Sequence, residues 1–97
     1  MYVVVWEYLA HPERVDAFVE AYGAMGAWAR LFRRGDGFLG VQLLRDLEEP
    51  TRFVTIDRWR SRDAFTAFMT QHRALYVALD EKLADLTLTE MRLGDCE

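Results

Sequence analysis

Tyr2-Val3-Val4-Val5-Trp6-Glu7-Tyr8-Leu9 decides how this chain folds. The run is rich in β-branched and aromatic residues, so it reads as a strand. Side chains alternate across a strand. One face therefore carries Tyr2, Val4, Trp6 and Tyr8, and the other Val3, Val5, Glu7 and Leu9. Neither face suits water. A chain of 97 residues has few ways to cover both faces of a sheet. The strand thus predicts a partner subunit, a homodimer packed through its sheet faces. Glu7 is an acidic group in an apolar row and marks a candidate site beneath the covering layer.

Outward from this strand, His11-Pro12 ends it, and Pro12 and Glu13 suit the first turn of a helix. Val15, Phe18, Val19, Tyr22 and Met25 form one helical stripe, weakened towards its end by Gly23 and Gly26. Trp28, Leu31 and Phe32 predict a second short helical piece, closed by Gly35-Asp36-Gly37. Residues 38–46 and 52–60 read as strands joined by a short turn, hence an antiparallel hairpin. Phe53, Thr55, Asp57 and Trp59 share one face of the second of these. Ser61 is a natural N-cap for a helix whose stripe runs Phe65, Phe68, Met69, His72, Leu75, Tyr76 and Leu79. Residues 86–93 close the chain as a fourth strand. The order β-α-β-β-α-β is the ferredoxin-like arrangement of the α+β class, with helices on one face of a four-stranded antiparallel sheet. Residues 1–97 are expected to form one domain.

The chain is acidic, with net charge −4 and pI about 5.1. No clustered basic footprint for nucleic acid is present, and no apolar run approaches a membrane span. Aromatic content of 13% is high, so large rings must fill a core, a pocket or an interface. Cys96 is the only cysteine, which fits a reducing cytoplasm. The chain opens as a strand without a basic leader, so no signal peptide is expected. His11 and His72 lack metal-ligand spacing, and there is no Gly-rich phosphate loop or nucleophile elbow. Neither a cofactor nor a metal is expected.

Several segments carry a family resemblance. They are Val5-Trp6-Glu7-Tyr8, Trp28-Ala29-Arg30-Leu31-Phe32, and Asp57-Arg58-Trp59-Arg60-Ser61 running into Ala64-Phe65-Thr66-Ala67-Phe68, with Tyr76 and Leu79-Asp80 beyond. On these the chain resembles the antibiotic-biosynthesis-monooxygenase (ABM)-like proteins over nearly its whole length. The resemblance implies a dimeric α+β barrel, with a pocket in each subunit between helices and sheet. Members include cofactor-independent monooxygenases of polycyclic phenols, haem-degrading proteins and proteins acting on quinones, so the fold alone does not fix the activity. The haem-degrading branch uses an Asn, a Trp and a His at places that hold Glu7, Phe68 and Ala78 here. All three departures argue against haem degradation.

Two candidate catalytic residues follow. His72 lies near the centre of an apolar helical arc, at ~100° per residue. It would be either a general base near neutral pH or a core histidine bonded to a carbonyl or carboxylate. Glu7 would either take a proton from a phenol or partner a nearby Arg or His. The family alignment turns the Glu7 face towards the helices, which would make Glu7 and His72 neighbours across one cavity. Tyr22, Trp28, Phe68 and Tyr76 would shape the pocket for a flat ligand. Trp6 and Trp59 are assigned to core and interface packing, and Asp57 to a structural pairing with an arginine. The expected function is cofactor-independent oxidation of a small aromatic or quinone-like compound. The alternative is a non-catalytic small-ligand-binding or stress-associated homodimer. An open cavity reached by His72 and Glu7 would favour the first, and a closed, packed space the second.

Overall fold

The large rings of the strands all take one face of the sheet, and that face is where the helices pack. The computed structural model describes residues 1–97. Its strands are β1 (Tyr2–Ala10), β2 (Phe38–Arg45), β3 (Arg52–Trp59) and β4 (Thr87–Cys96). They form one antiparallel sheet in the order β2-β3-β1-β4. The helices are α1 (Val15–Tyr22), α2 (Ala27–Phe32), α3 (Arg62–Gln71) and α4 (Arg73–Lys82). This is the expected α+β, ferredoxin-like arrangement.

Cross-strand partners lie on the same face of a sheet. Tyr2 faces Trp59, Trp6 faces Thr55 and Tyr8 faces Phe53. The rings of α1, α2 and α3 fill the space above this row. Phe18 packs on Tyr8 and Phe53 at 5.5 and 4.8 Å between ring centres, and Phe68 packs on Trp59 at 5.2 Å. Trp59 and Phe18 are completely buried.

This overturns the face assignment drawn from the family alignment. Tyr2, Val4, Trp6 and Tyr8 meet the helices, while Val3, Val5, Glu7 and Leu9 lie on the uncovered face with Val54 and Ile56. The physical reason is size. Rings fill the deep space between curved helices and a sheet, whereas compact β-branched side chains make a flat surface. Trp59 accordingly belongs to the core and not to an interface.

Two helices end earlier than their apolar stripes predict. The first stops at Tyr22 instead of continuing to Met25. Gly26 lies so close to the end of α1 that a Cβ there would collide with the carbonyl oxygens of Glu20 and Ala21, so the chain must turn back across its own helix. The second stripe breaks at His72 into α3 and α4, although the backbone bonds His72 N–H to Phe68 O and Tyr76 N–H to His72 O persist at 2.8 and 2.9 Å. After the break no residue of α4 is fully buried. Gly37 joins the helical half to β2 at φ +97°, with Ala64 only 2.9 Å from where a Cβ would stand. That conformation and that contact require glycine.

β4 continues to Cys96, beyond the expected end at residue 93. Its extension is tied down at the far side of the sheet. The Tyr2 hydroxyl donates to Asp95 at 2.6 Å, and Arg62 reaches Asp95 at 3.3 Å while stacking over the Tyr2 ring.

Candidate active site

A cavity opens between the ring-bearing face of the sheet and the helices. β1 supplies Trp6 and Tyr8, and β3 supplies Thr55 and Asp57. Tyr22 from α1, Trp28 from α2 and Tyr76 from α4 form the opposite wall, and Asp80 and Glu90 stand at the rim. The walls are rings in mutual contact: Tyr8 meets Tyr22 edge-on at 4.9 Å, and Trp28 meets Tyr76 at 5.0 Å. The cavity measures about 30 Å³, room for one or two waters or for one small polar group of a larger molecule.

Asp57 dominates its chemistry. The side chain is 8% exposed and has no hydrogen-bond or ion-pair partner in the protein. Burial alone pushes its carboxyl up to about 7, because a low-dielectric site disfavours the charged form. A carboxyl poised there exchanges a proton at neutral pH. Its place on β3 makes this burial unavoidable, since it alternates with Phe53, Thr55 and Trp59 on the helix-covered face.

The neighbouring phenols are held protonated. Burial raises Tyr8 strongly, and pushes Tyr22 and Tyr76 each up to about 12. Thr55 Oγ1 sits 3.5 Å from the Tyr8 hydroxyl. The Trp28 indole N–H is buried with no acceptor in hydrogen-bond geometry; the Tyr22 oxygen is close enough to feel it without meeting that geometry. At the rim, burial first and the charge of Asp80 second raise the Glu90 carboxyl. No Lys, Arg or His lines the cavity.

Of the residues singled out in the sequence, Tyr22, Trp28 and Tyr76 come together around this space. Phe68 is 1% exposed and packs between Phe32 and Trp59, behind the cavity wall. His72 is half-buried at the α3–α4 junction with its ring 5.1 Å from that of Phe68, and does not line the cavity. Glu7 is on the opposite face of the sheet, paired with Arg52, whose Nε donates to it at 2.8 Å. Arg52 also holds Asp46 at 2.9 Å. His72 and Glu7 therefore do not meet across one cavity.

The sequence reading gives Asp57 an arginine partner and so passes over it as a site residue; no arginine reaches it. The available signal was its row, an acid between Thr55 and Trp59 on the strand face with the largest rings. Trp6, Tyr8, Asp80 and Glu90 were missed with it, the first two through the inverted face assignment.

The family signature of antibiotic biosynthesis monooxygenases matches residues 1–74. Among solved structures, SnoaB from Streptomyces nogalater, described as a cofactor-independent oxygenase, is 25% identical. The alignment covers 99% of this chain and 90% of SnoaB at a TM-score of 0.68. Two further structures bear the family's name and share the fold. One from Deinococcus radiodurans is 19% identical, covers 100% of this chain and 91% of its own, and has a TM-score of 0.75. One from Bordetella bronchiseptica is 22% identical, covers 99% and 94%, and has a TM-score of 0.70. No curated protein matches the sequence.

Proposed function

We propose, from the premise that this chain belongs to the antibiotic biosynthesis monooxygenase family, that it oxidises a small phenolic or quinone-like compound with molecular oxygen and no cofactor. The observation that carries this reading is Asp57, a buried and unpartnered carboxyl near neutral pKa facing a ring-lined cavity. SnoaB, a cofactor-independent oxygenase of the same fold, supports the class of reaction.

In this reading the substrate's hydroxyl, or an acidic C–H beside its carbonyl, enters the cavity and gives its proton to Asp57. The resulting anion passes an electron to oxygen, and the pair combine at carbon to form a peroxide. Protonation and loss of water leave a carbonyl. In balance, a ring methylene and one dioxygen become a ring carbonyl and one water. The protein supplies a base, protonated phenols that hydrogen-bond the substrate oxygen, and walls that exclude water. A ring is too large for the 30 Å³ cavity as it stands, so α4, which buries no residue of its own, gives way at Tyr76.

Oxygen uptake against a panel of hydroquinones and polycyclic phenols tests this. Wild type should consume oxygen with at least one, and Asp57→Asn should lower that rate by about 10²–10⁴-fold, the usual worth of a general base. Unchanged uptake in the variant would remove Asp57 from the mechanism.

The small cavity also favours a second reading, a non-catalytic homodimer that holds a small ligand. Stabilisation by the same compounds with no oxygen uptake from any of them would select it. In either case the chain works as a cytoplasmic homodimer joined through the uncovered sheet face, where Val3, Val5, Leu9, Val54 and Ile56 lie together.

A further inference from the structure

We propose that the cavity selects by charge: it takes an aromatic compound carrying an amine cation and turns away one carrying a carboxylate. The proposal deepens the oxidase reading, because it names the substrate class for the same cavity.

Three carboxylates face this space, Asp57 at its depth and Asp80 and Glu90 at the rim, and no basic side chain lines it with them. Acidic residues grouped on a surface mean little alone, since water and counterions satisfy them. Here two groups of the cavity wall lack a protein partner in hydrogen-bond geometry. Asp57 is 8% exposed with no protein donor. Trp28 is 7% exposed, and its indole N–H has no acceptor. A carboxyl open only to the cavity and an indole N–H with just the Tyr22 oxygen near it suit a ligand hydroxyl that donates to the first and accepts from the second.

The walls favour a cation for a second reason. Trp6, Tyr8, Tyr22, Trp28 and Tyr76 present rings around the space. Ring faces attract ammonium groups, most strongly where water is excluded. The size agrees as well: about 30 Å³ accepts the substrate hydroxyl at Asp57, while the ring lies against Tyr76 where α4 gives way and the ammonium stands by Asp80 and Glu90 at the rim. An anionic substituent would meet three carboxylates in the lining, with Arg92 acting on the Tyr76 phenol from outside it, a like-charge contact that specificity often exploits.

Isothermal titration calorimetry with three phenols of similar shape tests this directly: tyramine as cation, 4-propylphenol as neutral and 4-hydroxyphenylacetate as anion. At low salt tyramine should bind at least about tenfold tighter than 4-propylphenol, and 4-hydroxyphenylacetate should show no heat of binding. Asp80→Asn with Glu90→Gln should narrow the tyramine advantage, as should Asp57→Asn. Asp16→Asn, at an exposed position of α1 outside the cavity lining, should leave it intact and so exclude a mere effect of net charge. A flat or reversed order overturns charge selection, as does absence of binding by all three. Because the readout is binding, oxygen uptake with a flat order would leave the oxidase reading standing, and ordered binding without uptake would do the reverse.

Discussion

Asp57 occupies a position where its charge lowers stability. Its ordinary value is 3.8 and its folded value about 7. Between these the native chain holds the proton more tightly than the unfolded chain, so unfolding releases it and stability falls as pH rises through the window. Above pH 7 the cost reaches about 4 kcal/mol, from 1.36 kcal/mol per pKa unit. Asp57→Asn should therefore raise Tm by several degrees at pH 8 and by less than half as much at pH 5, measured by calorimetry. An equal rise at both pH values would show that ionisation is not the cause. Activity should run the other way, with oxygen uptake climbing as pH passes about 7 and Asp57 becomes the base. The groups facing Asp57 are Tyr8 on β1, Tyr22 on α1, Tyr76 and Asp80 on α4, and Glu90 on β4. The tyrosines stay protonated there, so the rising limb should vanish in Asp57→Asn. His72→Ala should leave uptake unchanged, since that ring lies outside the cavity. The sequence displays Asp57 as plainly as it displays Glu7, each an acid in an apolar row. What separates them is a neighbour distant in sequence, because Arg52 reaches Glu7 and nothing reaches Asp57. Such pairings depend on which face meets the helices, and strand periodicity is blind to that choice.

The elements were legible wherever period and punctuation agreed. Ser61 marks the start of α3 as expected, its Oγ accepting the Ala64 N–H at 3.1 Å. Ser61→Ala should lower stability by about 1 kcal/mol in urea denaturation, the usual cost of losing a cap, with the m-value unchanged. The break at His72 was not legible, because neither glycine nor proline stands there and the apolar stripe runs through it. Its consequence lies in α4. Leu75 and Val77 are 44% and 42% exposed, and only partly buried side chains such as Tyr76 and Leu79 tie the helix to the core. A helix anchored this way opens at low cost. In hydrogen exchange, the amides of α4 should lose protection before those of α3, which buries Ala64 and Phe68. A ligand filling the cavity against Tyr76 should slow α4 selectively. Equal protection of α3 and α4 in the free protein would rule out α4 as the wall that gives way.

At the scale of the molecule, the helices cover one face of the sheet and leave the other bare. The first strand predicts that one face needs a partner, and the family alignment gives that place to the Trp6 face; pairing with β3 reverses the assignment, because the rings cross-pair on the covered side and leave the Val3 face bare. The bare face carries Val3, Val5, Leu9, Val54 and Ile56, with Met91 opposite Glu7 on β4. Its one acid is already held by Arg52, and Arg58, opposite Val3 and bonded only to the neutral Gln42, is the charge that a second copy would have to accommodate at the edge of the contact. Two-fold packing presents each residue of the face twice. Ile56→Asp should thus bury two unpaired carboxylates in a dimer and shift the equilibrium to monomer. Light scattering at micromolar concentration should give twice the chain mass for wild type and the single-chain mass for Ile56→Asp. Glu13→Gln, on the exposed turn after β1, should remain dimeric. The Ile56→Asp monomer should keep its far-ultraviolet circular dichroism, because Ile56 contributes nothing to the helix-covered core. A wild-type monomer would leave the bare face unexplained and sink the dimer.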